Sequence, residues 1–96
     1  MEQETILIAD NDNFIAYIEM IKDDPYLHVD VHQWSKETMQ QMQVLFDMVV
    51  EECEKNDIPV LSFYGKEPSV KLARSFAPLN DLTEIEGGFF VGSWYV

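Results

Sequence analysis

Apolar residues along the chain follow two different rhythms, and the change from one to the other marks its elements. Residues 5–10 form a short apolar run, and residues 14–21 form a second with Glu19 as its one charge. Between them Asn11-Asp12-Asn13 is turn chemistry, so the pair predicts a β-hairpin. Asp23-Asp24-Pro25 predicts a second turn, because a residue before proline avoids the helical region. Leu27, Val29 and Val31 then alternate with His28, Asp30 and His32, the signature of a half-buried strand whose second face meets solvent. The first third of the chain therefore predicts a three-stranded antiparallel meander.

The rhythm then changes to threes and fours. Ser35 is a good N-cap, and Met39, Met42, Leu45, Phe46, Val49, Val50 and Cys53 form one stripe of a helix over residues 36–55, ended by Asn56-Asp57. Met48 falls off that stripe. Residues 59–64 predict a short buried strand, parallel to the last meander strand because a helix links the two. Pro68 suits the start of a second helix, which carries Val70, Leu72, Ala73, Phe76 and Ala77. Residues 83–86 and 89–95 flank Gly87-Gly88, a hairpin turn whose two central residues need positive φ. The order βββ-α-β-α-ββ predicts an α+β fold, a mixed sheet with two helices, in a single domain over residues 1–96.

Charge narrows the range of functions. The chain has 18 Asp and Glu against 6 Lys and Arg, a formal charge of −12, in 96 residues. Such a balance repels a phosphate backbone, since nucleic-acid affinity rests on cations that displace counterions, so DNA and RNA are excluded as direct ligands. The length suffices for one modest core and excludes a multi-part enzyme. The acids are uneven: residues 1–31 carry −7, residues 32–57 carry −4 and residues 58–96 carry −1. Cys53, the one cysteine, sits on the helical stripe as a small apolar group, which fits a reducing compartment. The opening Met-Glu-Gln-Glu has neither a basic nor an apolar leader segment, and no apolar run is long enough to span a bilayer. The expectation is a cytoplasmic protein with no membrane partner.

His28, Asp30 and His32 invite a metal reading, which their spacing opposes. Residues i and i+4 of a strand lie about 13 Å apart and cannot share an ion, so no metal site is assigned.

In element order and lengths, nearly the whole chain resembles the GNAT acyltransferase superfamily from its second strand onward, without that family's first strand and first two helices. It is also similar to the acyltransferase-like domains of some tailed-phage proteins. In the family, a Q/R-x-x-G-x-G/A turn before the long helix holds the pyrophosphate of coenzyme A on backbone N–H groups. The matching stretch here is Gln33-Trp34-Ser35-Lys36-Glu37-Thr38, with Lys36 and Thr38 in the places of small residues. A second family pattern, N-x-x-A-x-x-x-Y-x-x-x-G-F, meets Ser69, Phe76 and Asn80 at its Asn, Tyr and Gly positions, and Phe has no proton to give. The resemblance implies that an enzyme would use Gln33, Lys36 and Thr38 for acetyl-coenzyme A. Asp30 or His28 would then be the base and Tyr64 the acid. With both motifs altered, the expectation is a fold retained without the chemistry and without a cofactor.

The remaining signals concern interfaces. Trp34, Trp94 and Tyr95 fall near strand ends, where aromatic rings often anchor partners. The acids Asp10, Asp12, Asp23, Asp24, Asp47, Glu51 and Glu52, with Trp34 and Trp94, form the expected surface for a basic protein, among them a nucleic-acid-binding one. The expected role is that of a small acidic antagonist, acting in the host cytoplasm if phage-encoded. The alternatives are a minimal coenzyme A-dependent N-acyltransferase and an assembly component that forms a homodimer through residues 89–96, a strand free of charge and proline.

Overall fold

The structure, a computed structural model, describes residues 4–96. The start of the chain, read above for a missing leader and for the charge of Glu2, lies outside the described residues. Elements run β1 (Glu4–Asp10), β2 (Phe14–Ile21), β3 (Asp24–Val31), α1 (Lys36–Lys55), β4 (Val60–Gly65), α2 (Glu67–Phe76), β5 (Asn80–Ile85), a 3₁₀ turn (Glu86–Gly88) and β6 (Phe89–Tyr95). They form an α+β fold around one six-stranded mixed sheet of order β1-β2-β3-β4-β6-β5. β3 and β4 are the parallel pair, and all other neighbours are antiparallel.

Local chemistry sets the turns. Asn11 Oδ1 accepts the backbone N–H groups of Asn13 and Phe14 at 2.8 and 2.9 Å, which closes the first hairpin. The second turn lies one residue earlier than Pro25 suggests. Lys22 and Asp23 adopt φ of 52° and 70°, a two-residue turn, while Asp24 and Pro25 already pair with Ile21 and Met20. The reason is register: only that loop puts Ile18 opposite Leu27 and Ala16 opposite Val29, with their side chains on one face. Gly87 and Gly88 take φ of 79° and 77°, as their turn requires. β5 starts at Asn80, three residues before the sequence suggests, and is irregular between Asn80 and Thr83, where Asp81 has a positive φ.

α1 has the expected bounds. Ser35 Oγ accepts the Thr38 N–H at 3.0 Å. At its far end Ile58 N–H reaches Cys53 O at 2.9 Å and Asp57 N–H reaches Glu54 O at 3.3 Å, with Asp57 left-handed at φ 56°. Both helices lie on the same face of the sheet. Met42, Phe46, Val49 and Cys53 of α1 and Val70, Leu72 and Ala73 of α2 bury against Phe14, Ala16, Ile18, Leu27, Leu61, Phe63 and Trp94.

Two interface expectations are corrected. Trp94 is 3% exposed and belongs to the core: it stands opposite Leu61, packs edge-on to Phe46 and Phe63, and donates its indole N–H to Ala73 O at 3.3 Å. β6 is not an edge, because the chain crosses outward to β5 and then returns between β5 and β4. Its two sides are both paired, so strand addition through residues 89–96 has no free ladder to use. The sheet edges are β1 and β5. Among the described residues no helix is long and apolar enough to cross a membrane.

Leu61, at 0% exposure, should lose about 2–5 kcal/mol of stability as Leu61→Ala. Ser35→Ala should lose about 1 kcal/mol. Urea unfolding of both variants checks the order. A smaller loss at Leu61 than at Ser35 would contradict this core.

Candidate functional site

The helix-free face of the sheet carries the densest chemistry. Register puts Tyr17 opposite His28, Ile15 opposite Asp30 and Glu19 opposite Tyr26, while the parallel pairing brings Tyr26 beside Ser62 and so β4 beside β3. The ring of His28 stacks on Tyr17 at 4.9 Å and meets Tyr64 edge-on at 4.8 Å. Tyr64 in turn lies 6.1 Å from both Tyr26 and Phe89. Glu19 Oε1 stands 3.0 Å from His28 Nε2, with side chains only 20% and 12% exposed. His28 is thus not the solvent-facing strand residue that alternation suggested. Neighbouring rings on β2 and β4 cover it, because a sheet face without helices can still shelter its middle strands under large side chains.

β3 and β4 register at a single Cα pair, Tyr26 with Ser62, near the start of both strands. Farther along, a cavity of ≈ 310 Å³ opens on this face, lined by Tyr17, His28, Asp30, Tyr64, Lys66 and Phe89 among others. The three conditional acid–base residues, His28, Asp30 and Tyr64, therefore do converge. Lys66 Nζ lies 5.4 Å from the centroid of the Phe89 ring at its rim. Burial raises the Tyr17 phenol above its ordinary 10.0, and the carboxylates of Asp30 and then Glu19 push the same way, since each disfavours a phenolate beside it. A carboxylate beside Nε2 can accept its N–H and hold the imidazole in one orientation. Tyr17 and Glu19 were not singled out in the sequence. A two-residue loop placed at Lys22-Asp23 would have found them, because it fixes which β2 residues face His28.

The residues expected to hold coenzyme A do not converge. Thr38 is 0% exposed, its N–H and hydroxyl both engaged with Ser35, so that amide is not offered to an anion. Gln33 and Lys36 are exposed and line neither the cavity at His28 nor the cleft between the starts of α1 and α2. A cleft of ≈ 580 Å³ between the starts of α1 and α2 is lined instead by Trp34, Met39, Glu67, Pro68, Lys71, Leu72 and Ser75. Trp34 is 61% exposed. Among the described residues no group of three His, Cys, Asp or Glu side chains is placed to hold a metal ion.

The acids expected to meet a partner divide between the two ends of the sheet. Asp10 and Asp12 flank the β1–β2 turn, while Asp23 and Asp24 lie beyond the other end of β2, about 23 Å away for a strand of eight residues. Asp47, Glu51 and Glu52 are exposed along α1. Near the second group lies an apolar groove of ≈ 340 Å³, walled by Met48 and Cys53 of α1 and floored by Ile6, Ile8, Ile18 and Met20. Burial, and secondarily Glu52, raises the Cys53 thiol above its ordinary value, consistent with a packing role. No protein-family model, no curated protein and no solved structure matches this chain.

Asp30→Asn removes a negative charge beside Tyr17 and should lower its pKa, as followed by NMR titration of the tyrosine ring carbons. An unchanged Tyr17 would mean that the Asp30 carboxylate does not act on this cavity. Since folding raises this phenol above 10.0, the stability it contributes is present below about pH 10 and lost as pH climbs through its folded value.

Proposed function

We propose that the protein is a non-catalytic acidic interaction module on an acyltransferase-like fold, which binds a basic protein surface and inhibits a nucleic-acid-binding partner by occupying its basic site. One observation carries this reading. The fold brings Glu4 of β1 and Glu52 of α1 to the same apolar groove, with Asp23 in the turn beyond Met20 and Glu51 next to Glu52 on α1. Glu4 stands opposite Met20, which lines the groove with Glu52, whereas Asp24 pairs with Ile21 and so faces the other side of the sheet. Lys55, the cation on that flank of α1, is held by Glu51 at 3.6 Å. A clustered negative surface steers association with a basic one and suppresses wrong partners. The acyltransferase-like description is supported by the strand order and by the single parallel pair at β3 and β4. The absence of chemistry is supported by Phe76 at the family's tyrosine position and by the engaged N–H of Thr38.

A second reading has its own observation. His28, Asp30 and Tyr64 share one cavity with Glu19 behind His28, which suits a minimal acyltransferase with an imidazole or carboxylate base and a phenol acid.

Complex formation with a captured basic partner should weaken at least about tenfold between low and physiological salt, and Glu51→Lys with Glu52→Lys should abolish it. Salt-insensitive binding that survives the double reversal would remove the electrostatic reading. Isothermal titration with acetyl-coenzyme A separates the alternatives. No saturable heat is expected, whereas saturable binding lost in Lys36→Glu would replace the interaction reading with the enzymatic one.

A further inference from the structure

We propose that the groove between β1 and α1 is the seat of a basic amphipathic helix from the partner, laid beside α1 as a third helix of the layer. The inference rests on the acidic-interaction reading above and adds to it the place of contact and the form of the partner. Six strands span about 24 Å, whereas two packed helices cover about 20 Å. The helices sit toward β2, β3, β4 and β6, so the helix-side face of β1 overhangs. Its Ile6 is left 47% exposed, and beside it α1 presents Val44 and Met48, at 60% and 64% exposure, one turn apart. Ile8, Ile18 and Met20 extend this surface inward, and Pro25 and Ile58 close its end. Exposed apolar side chains gathered in a groove with a polar rim are the usual form of a docking surface, in contrast to scattered single ones.

The form of the occupant follows from the edge and the rim. A partner strand added to β1 would need a regular ladder, but the register shifts between Leu7 and Ala9, and Glu4 and Asp10 stand at the two ends of the strand. Bulges and terminal charges are devices that protect an edge against strand addition. A helix needs no ladder from β1. A second copy of this chain is opposed by charge, because each copy carries −12 and would set Glu4, Glu51 and Glu52 against the like-charged rim of the other. A helix with leucine-like residues on one stripe and Lys or Arg on both flanks complements floor and rim together. About 18 residues give ~27 Å of helix, enough to span the groove.

The test uses the full chain and two synthetic peptides of about 18 residues with the same Leu and Lys composition, a length chosen for ~27 Å of helix. One repeats Leu at helical spacing, and the other alternates Leu with Lys at strand spacing. The helical peptide should bind at low salt and shift the methyl signals of Met48 and Ile6 in NMR spectra. Met48→Gln, a change at an exposed position that keeps the charge, should weaken it roughly tenfold with an unchanged melting temperature. Equal binding of the alternating peptide, or methyl shifts confined to the opposite face of the sheet, would overturn the helix-in-groove proposal. Binding indifferent to Met48→Gln but lost in Glu51→Gln with Glu52→Gln would overturn the groove and leave the acidic-interaction reading standing. Binding of neither peptide at low salt would overturn both. A dimeric mass that reverts to monomer on Met48→Gln would assign the groove to a second copy and overturn the proposal.

Discussion

A β-strand, a helix and a parallel β-strand join almost always in a right-handed sense, and this chain makes that connection twice in the same direction across its sheet. β3 leads through α1 to β4, and β4 leads through α2 to β5. Two crossovers of one hand and one direction must leave their helices on one face. Everything else about the molecule follows from that asymmetry. One face receives Met42, Phe46, Val49, Leu72 and Ala73, and becomes a core in which Trp94, Leu61 and Leu27 have almost no exposure. The other face has no helix to cover it.

That bare face is where the unusual chemistry collects. Its central strands, β2, β3 and β4, gain shelter only from their own side chains, so Tyr17, His28, Tyr26 and Tyr64 pack on one another. A histidine placed among rings with a carboxylate at 3.0 Å has a defined orientation, which a solvent-exposed strand residue lacks. A cavity opens beside it, lined also by Asp30 and Lys66. That geometry suits proton transfer, whereas the proposed interaction surface lies on the opposite, helix-bearing face. The two readings differ in whether a cofactor can be held at the start of α1. There the Ser35 cap has taken the N–H of Thr38.

Electrostatics follows from packing. The inward stripe of α1 must be apolar, so its acids fall on the flank and outer side, among them Asp47, Glu51 and Glu52. Two helices are narrower than six strands, and the shortfall appears at β1, where Ile6 and Met48 remain exposed beside Glu52. An acidic surface with an apolar floor can hold a basic partner by charge and by burial together, with the first acting at longer range and the second fixing the site.

Much of the fold was legible in residue order. The stripe of α1, its Ser35 cap, the period-two pattern of β3 and the paired glycines at 87 and 88 each express a backbone preference or a periodicity that acts within a few residues. The charge balance was equally plain, whereas His28, Asp30 and Tyr64 were named only through the resemblance and their convergence came from the packing of β2, β3 and β4. Tertiary structure alone decided the rest. The end of the chain became an interior strand and Trp94 a core residue, because strand order depends on which edge a crossover passes over. Glu19 became the partner of His28, because register depends on a turn that Pro25 concealed. Glu4 of β1 and Glu52 of α1 met at one groove while Asp10 and Asp12 stayed at the far end of β2, because the handedness of two crossovers determined which faces are covered. Local sequence determined the elements and their buried stripes. The assignment of neighbours, edges and open faces belonged to the packing of the whole chain, where contacts form between residues that no short pattern links.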